Sequence, residues 1–186
     1  MKKYQVIYCD PPWQYDFSKS DSRKIENQYP TLSLQEIKNL RYDWDFEWDE
    51  NAVMYMWATA PKLKEALDLM ATWDFKYKTH AIWDKQIIGM GYWFRGQHEL
   101  LLVGVRGKFS PPEPKLRYSS VMSYKRGQHS KKPFEVREMI YSSFPDLNRI
   151  ELFAREKAAG WDSWGNQIST EEKYIQDIDL KVENIF

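Results

Sequence analysis

The chain has one cysteine, Cys9, among its 186 residues, so an intramolecular disulfide framework is excluded. This composition suits a reducing compartment, and we expect a cytoplasmic protein. Long apolar runs are also absent: the longest mostly apolar stretch, from Ala52 to Ala60, is far shorter than the roughly 20 residues needed to cross a bilayer. The three histidines lack metal-ligand spacing, so we expect no metal site. These absences exclude a secreted disulfide scaffold, a membrane span and a zinc knuckle.

An excess of charge of one sign is lacking as well, because 27 Lys and Arg residues balance 27 Asp and Glu residues. Overall neutrality removes the simplest argument for a polyanionic partner. The charge is nevertheless unevenly distributed: Val105 to Arg137 is rich in basic residues, whereas Asp43 to Glu50 contains acids and no base. We therefore expect one face of the protein to be basic.

Short apolar segments alternate with segments of helical periodicity along the chain. The predicted strands are Tyr4–Cys9, Ala52–Ala58, Thr79–Trp83, Leu100–Val105 and Arg149–Ala154, and the predicted helices start near Ser33, Pro61 and Pro133. Residues 107–129 are predicted to be a mobile loop. The alternation predicts an α/β fold with a parallel sheet wrapped by crossover helices. We assign residues 1–169 to a single domain and residues 170–186 to a C-terminal tail with no predicted element.

Asp10 follows the first predicted strand directly, at the position where ligands bind in open α/β sheets. Pro11 and Pro12 fix the turn and remove two N–H donors, so the Asp10 carboxylate and the Pro11 carbonyl form a pair of acceptors beside Trp13. An exocyclic amine of a nucleobase could donate both hydrogens to this pair while its ring stacks on the indole. The alternative interpretation is an ordinary strand end with an Asp-Pro turn.

The strand and the four residues Asp10-Pro11-Pro12-Trp13 resemble the DPPW catalytic motif of the N6-adenine methyltransferases related to the catalytic subunit of the messenger-RNA adenosine methyltransferase. Other segments resemble this family in the same order, namely Gln28–Ser33, Met56–Thr59, His98–Gly107, Glu151–Arg155 and Gly160–Gln167. The resemblance implies a Rossmann-like methyltransferase fold that depends on S-adenosylmethionine. Its strand order is permuted, with the catalytic strand first and the cofactor strand near the C-terminus.

The resemblance also implies which residues bind S-adenosylmethionine: Asp10, Lys132, Arg155, Asn166 and Gln167. Lys132 precedes a predicted helix, where its charge and free backbone N–H groups could hold the methionine carboxylate. Arg155 and Gln167 match positions that bond the ribose hydroxyls, and Asn166 matches the position beside the cofactor adenine. For Lys132, the alternative is a solvated lysine.

The catalytic residues follow from the same resemblance, whereas the expected phosphate contacts follow from the basic segment Lys125–Lys132 beside the active site. Asp10, Pro11, Pro12 and Trp13 form the catalytic motif. A single-stranded or extruded adenine stacks on Trp13 and Tyr29, and Lys125 and Arg126 contact phosphates. For the two basic residues, the alternative is a solvated loop.

The implied activity is methylation of the N6 amine of adenine in nucleic acid. DNA is the preferred substrate by analogy with short prokaryotic and phage members of the family. The alternatives are an RNA methyltransferase, a noncatalytic nucleic-acid-binding subunit and methylation of the cytosine amine. We expect no membrane partner. A long target sequence would require a second subunit, either another copy of this chain or a different protein.

Overall fold

A seven-stranded sheet lies at the centre of the computed structural model, which describes residues 1–15, 31–91, 93–127 and 131–165. The strands are β1 (Lys2–Cys9), β2 (Phe46–Ala58), β3 (Lys76–Asp84), β4 (His98–Arg106), β5 (Val121–Ser123), β6 (Arg149–Leu152) and β7 (Asp162–Trp164). The helices are α1 (Leu34–Asn39), α2 (Leu63–Thr72) and α3 (Phe134–Ser143), with short 3-10 segments at Leu40–Tyr42, Ala60–Lys62 and Pro114–Leu116. The strand order is β5-β3-β4-β2-β1-β6-β7. The predicted α/β class is confirmed.

The direction of β4 differs from the expectation of a parallel sheet. β1 runs parallel to β2 and β6, and the pairs β3/β5 and β6/β7 are also parallel. β4 is antiparallel to both of its neighbours, β2 and β3. The short connection from β3 to β4 contains no helix, so the chain reverses direction at this point. Periodicity reports the burial of a strand and not its direction, so it could not predict that this mostly parallel sheet contains one antiparallel strand.

Both faces of the central strands are buried. On β1, Ile7 and Cys9 point into the core beneath α1 and α2, whereas Val6 and Tyr8 point into the core beneath α3. A strand buried on both faces has a continuous apolar sequence, as Tyr4–Cys9 does. Each large aliphatic side chain buried in this way stabilises the fold by about 1.5–3 kcal/mol.

The helix starts agree with their sequence signals. At α1, Ser33 and Glu36 form a capping box: the Glu36 N–H donates to Ser33 Oγ at 3.3 Å, and the Ser33 N–H donates to Glu36 Oε2 at 2.8 Å. Pro61 lies in the 3-10 turn that precedes α2, and Pro133 precedes α3. A cap of this kind stabilises a helix by about 1 kcal/mol.

Two short strands lie where the sequence predicted none. β5 lies within the segment predicted to be a mobile loop, and β7 lies within the Gly-Trp segment near the end of the described residues. Each has three residues, which is too short to show a periodicity, and each depends on pairing with a longer neighbour.

The predicted catalytic turn lies at one edge of the sheet, where several strands end. Cys9 pairs with Met56 and Leu152, so β1, β2 and β6 end at the same edge. β3 also ends there and β4 begins there, as the pairing of Asp84 with His98 shows. We call this the carboxyl edge.

No helix in the described ranges is both long and apolar enough to span a membrane. The predicted tail, residues 170–186, lies outside these ranges.

Candidate active site

The Asp-Pro-Pro-Trp turn presents Asp10 at the carboxyl edge, directly after the central strand β1. Two backbone hydrogen bonds fix the turn: the Trp13 N–H donates to the Pro11 carbonyl at 2.8 Å, and the Leu32 N–H donates to the Pro12 carbonyl at 2.9 Å. A carbonyl oxygen has two lone pairs, so the Pro11 oxygen can still accept a second hydrogen. The predicted pair of acceptors, Asp10 and Pro11, is therefore present on a rigid turn.

Trp13 lies in the core. Only 5% of its surface is exposed, and its indole Nε1–H donates to the Trp57 carbonyl at 3.2 Å. This geometry gives the ring a structural role, because it anchors the turn that carries Asp10. Stacking of adenine on Trp13 stays a prediction, and Tyr29 lies outside the described residues.

Four side chains of alternating charge contact one another in a series that starts at Asp10. We call this series the charge chain: Asp10, Lys132, Glu99 and Lys85. Lys132 Nζ lies 2.8 Å from Asp10 Oδ2 and 3.3 Å from Glu99 Oε2. Lys85 Nζ lies 3.4 Å from Glu99 Oε1. The Lys132 and Glu99 side chains are 15% exposed and that of Asp10 is 26% exposed, so these ion pairs are only partly screened by water.

The two carboxyl groups of the charge chain have pKa values shifted in opposite directions. Burial raises the pKa of Asp10 above its ordinary value; Lys132 opposes this shift and Glu99 adds to it. Burial acts on Glu99 in the same sense, but the charges of Lys132 and Lys85 outweigh it and lower the pKa of Glu99. Burial disfavours the Lys132 ammonium, yet the two carboxylates raise its pKa overall. Burial therefore dominates at Asp10, whereas the two lysines dominate at Glu99.

Glu99 was not among the predicted site residues. It is the second residue of β4, within the segment that resembles the family, but a single glutamate in a strand does not reveal its partners. Its link to Lys132 depends on the pairing of β4 with β2 and on the docking of the segment before α3. Only the folded structure shows that Glu99 lies between Lys132 and Lys85.

Arg155 follows β6 and lies close enough to Asp10 for its charge to oppose the rise in the Asp10 pKa. The chain leaves β6 through Phe153, whose φ of 60° is in the left-handed region. The Ala154 N–H then donates to the Trp164 carbonyl at 3.1 Å. At Gly165, an added Cβ would lie 2.4 Å from the Ala154 carbonyl oxygen, so this close approach requires glycine.

A second ion cluster ties α3 to the end of β6. Arg137 Nη1 lies 3.0 Å from Glu151 Oε2, and Nη2 lies 3.4 Å from Glu156 Oε1. Glu156 Oε2 also lies 3.2 Å from Lys131 Nζ. Burial raises the pKa of Glu151, against the lowering effect of Arg137. The two contacts of Arg137 hold α3 against β6 and the segment that follows it, which contains Arg155.

The residues at the junction of β1 and β6 fit S-adenosylmethionine in their chemistry. Its methionine part carries a carboxylate and two positive charges, and the junction offers side chains of both signs in Asp10, Lys132 and Arg155. Lys132 already contacts two carboxylates, so a cofactor carboxylate would have to share its ammonium with Asp10 and Glu99. Asn166 and Gln167 lie outside the described residues. The cofactor contacts therefore stay predictions.

Lys125 and Arg126 are exposed beside the end of β3. Two hydrogen bonds hold their segment there: the Trp83 indole donates to the Tyr124 carbonyl at 2.8 Å, and the Arg126 N–H donates to the Lys85 carbonyl at 3.3 Å. Both basic residues thus lie at the carboxyl edge. Phosphate binding by them stays a prediction.

The described residues contain no cluster of three His, Cys, Asp or Glu side chains that could hold a metal ion.

Comparison of the sequence with known proteins identifies the family of this chain. The MT-A70 family model matches residues 4–167. The chain is 38% identical to the type II methyltransferase M.MunI of Mycoplasma sp, over 90% of this chain and 78% of that protein. It is 26% identical to the N(6)-adenine-specific methyltransferase METTL4 of Mus musculus, over 90% of this chain and 38% of that protein. It is also 26% identical to the N6-methyladenosine RNA methyltransferase MTA1 of Pyricularia oryzae, over 89% of this chain and 47% of that protein.

The chain therefore spans less than half the length of the latter two relatives. The matched segment runs from the first residues of β1 past the end of β7 and so includes Asp10, the charge chain and Arg155. The resemblance noted in the sequence is confirmed. A match of this extent, together with a carboxylate at the end of the central strand, shows that the chain belongs to the MT-A70 family.

Proposed function

We propose that this enzyme transfers a methyl group from S-adenosylmethionine to the N6 amine of adenine in nucleic acid, with DNA as the preferred substrate. The observation that carries the proposal is the Asp10 carboxylate on a rigid turn at the carboxyl edge, paired with Lys132 through one oxygen. The relatives named for adenine methylation support the choice of base. The higher identity to a type II methyltransferase than to the named RNA methyltransferase favours DNA.

The amine of adenine is a poor nucleophile, because its lone pair is delocalised into the ring. Asp10 Oδ1 and the Pro11 carbonyl oxygen would accept the two amine hydrogens. These bonds favour a pyramidal nitrogen and direct its lone pair away from the ring plane. Lys132 holds Asp10 Oδ2, so Oδ1 is already oriented before the substrate binds.

When bound, S-adenosylmethionine supplies an electrophilic methyl group. In our proposal Asp10, Lys132, Arg155, Asn166 and Gln167 hold it at the junction of β1 and β6. The Asp10 carboxylate then stabilises the positive charge that develops on the amine nitrogen during transfer. Loss of a proton from that nitrogen completes the reaction. The carboxylate therefore has to be ionised at the working pH.

The raised pKa of Asp10 predicts the acid side of the pH profile. Protonation removes the negative charge that orients and stabilises the amine, so kcat/KM should fall as the pH is lowered through the Asp10 pKa. Because that pKa is raised, the fall should begin above the ordinary aspartate value of 3.8. The measurement is kcat/KM from neutral pH down to the limit of folding. A profile that stays flat to that limit would contradict this role of Asp10.

Cofactor affinity gives a separate prediction. Arg155→Ala should weaken S-adenosylmethionine binding by roughly 1.5–3 kcal/mol, the scale of a hydrogen bond to a charged group, and Gln167→Ala by about 1 kcal/mol. Lys157→Ala, two residues beyond Arg155 and exposed, is the matched control and should change little. Isothermal calorimetry with the cofactor alone measures all three. Wild-type affinity in both test variants would show that the cofactor binds elsewhere.

The proposed activity is tested by methyl transfer to three substrates of matched sequence: duplex DNA, single-stranded DNA and RNA. Nucleoside analysis of the products should give N6-methyladenine, with more product from DNA than from RNA. Product from RNA alone would establish the RNA alternative. Methylated cytosine would contradict the choice of base, and no product from any substrate would favour a noncatalytic binding subunit.

A further inference from the structure

The β3–β4 hairpin, described over residues 85–91 and 93–97, carries large apolar side chains that face solvent. Burial of such side chains is the rule, so a cluster of exposed ones marks an interaction surface. Four residues of the hairpin expose most of their surface: Ile88 (63%), Met90 (84%), Trp93 (94%) and Phe94 (88%). They belong neither to the core nor to the charge chain.

The tip of this hairpin is a braced turn. The Gly89 N–H donates to the Gly96 carbonyl at 2.9 Å, and Arg95 Nε donates to the Gly89 carbonyl at 2.9 Å. At Gly91, an added Cβ would lie 1.9 Å from the Phe94 carbonyl oxygen, so the tight turn requires glycine. The backbone therefore holds the apolar side chains outward before any partner binds, which reduces the entropy lost on binding.

The hairpin projects from the carboxyl edge. Its base follows Asp84, the last residue of β3, and returns to His98, the first residue of β4. Gln97 Nε2 donates to Asp84 Oδ1 at 2.8 Å and closes this base. Lys85, the first hairpin residue, is joined through Glu99 and Lys132 to the Asp10 carboxylate. The apolar tip and the proposed catalytic carboxylate therefore share one side of the molecule.

The surroundings of the hairpin are basic. Its sequence contains Lys85 and Arg95 and no acid. Lys125 and Arg126 are exposed next to its base, where the Arg126 N–H donates to the Lys85 carbonyl. Basic residues around an apolar tip match the phosphates and the stacked bases of nucleic acid. A purely apolar protein partner would gain nothing from these charges.

We propose that the tip of the β3–β4 hairpin is a wedge that enters duplex DNA beside the target adenine, with Trp93 and Phe94 filling the stack that the extruded base leaves. This inference rests on the proposed function. A base inside a duplex cannot reach Asp10, and extrusion requires loss of stacking and pairing. Apolar side chains inserted between base steps compensate for lost stacking in other DNA-binding proteins. The wedge is needed for duplex DNA and not for an unpaired adenine.

The test compares the wild-type enzyme with the double variant Trp93→Ala/Phe94→Ala on duplex and single-stranded DNA of one sequence. The variant should lose at least about tenfold in methylation of the duplex and stay within about twofold on the single strand, because only the duplex requires extrusion. A duplex with an abasic site opposite the target adenine should restore part of the loss. Tyr42→Ala is the matched control, because Tyr42 is 80% exposed and lies just before the amino end of β2, away from the carboxyl edge. It should behave as wild type.

Retained activity on the single strand also shows that the double variant folds. Trp93→Phe keeps an aromatic wedge and should keep most duplex activity. Equal loss on both substrates, with a change from dimer to monomer in sedimentation, would overturn the wedge in favour of contact between two copies of the chain. Unchanged duplex activity, or a wild-type enzyme that methylates only single strands, would also overturn it. A wild-type protein that methylates neither substrate would instead contradict the proposed function, on which the wedge depends.

Discussion

Asp10→Asn is expected to lower the rate of methyl transfer by at least about a hundredfold, the scale for removing a positioned electrostatic group. The amide keeps the size of the side chain and loses its charge. Lys132 then faces a neutral partner, and the amine nitrogen develops its positive charge without a carboxylate beside it. The decisive measurement is the single-turnover rate at saturating cofactor, because it isolates the transfer step from binding.

Asp162→Asn is the control for this variant. Asp162 also pairs with a lysine, Lys2, but its carboxylate contacts Lys2 and Tyr4 in the amino-terminal half of β1, whereas Asp10 follows the carboxyl end of that strand. The control should transfer methyl groups within a few-fold of the wild-type rate. If Asp10→Asn did the same with normal thermal unfolding, Asp10 would have no part in the chemistry and the noncatalytic alternative would gain support.

Lys132→Met is expected to lower both activity and stability, because it leaves Asp10 without its lysine and Glu99 with Lys85 alone. Breaking a fully buried ion pair destabilises a protein by about 3–5 kcal/mol. The charge chain keeps some exposure and Lys85 remains, so we expect a loss on the order of 2–3 kcal/mol at pH 8. Urea unfolding of the variant and the wild type measures this difference.

The sign of the pH dependence follows from the proton balance. Removal of the lysine raises the pKa of Asp10 and Glu99 in the folded state and not in the unfolded state. The folded variant then binds more protons than the unfolded chain as the pH falls through these raised values. Its deficit in the free energy of unfolding should therefore be smaller at pH 5 than at pH 8.

Lys131→Met supplies the comparison for Lys132→Met. Lys131 is the preceding residue, but its side chain is 54% exposed and pairs with Glu156 near the surface. Exposed pairs contribute about 0–1 kcal/mol, so this variant should lose little stability at either pH. A deficit in Lys132→Met that is equally small, or that does not change with pH, would contradict the electrostatic role of the charge chain.

The position of Asp10 could be predicted from the sequence because it depends on local signals. A continuous apolar segment predicts a strand buried on both faces, and two prolines predict its end. The capping box at Ser33 is equally local. The direction of β4, the contacts of Glu99 and the burial of Trp13 depend on which segments meet in space, and periodicity carries no information about that.

The role of Lys132 illustrates this limit. Its place before α3 suggested a partner on the cofactor, which stays a prediction, and the fold also brings it between two carboxylates from distant parts of the chain. Two strands separated by β2 carry those carboxylates: Asp10 follows β1, and Glu99 is the second residue of β4. Only the strand order makes this three-way contact visible.

Isotope labelling of both substrates identifies the two atoms that the methyl transfer joins. Wild-type protein is incubated with S-adenosylmethionine carrying a ¹³C methyl group and with DNA whose adenines carry ¹⁵N at the N6 position. We expect a one-bond coupling between the methyl ¹³C and the N6 ¹⁵N in the NMR spectrum of the product, and a far weaker signal of this kind with Asp10→Asn after the same incubation. A transferred methyl group without this coupling would show that N6 is not the methylated atom, and an equal signal with Asp10→Asn would show that Asp10 takes no part in the transfer.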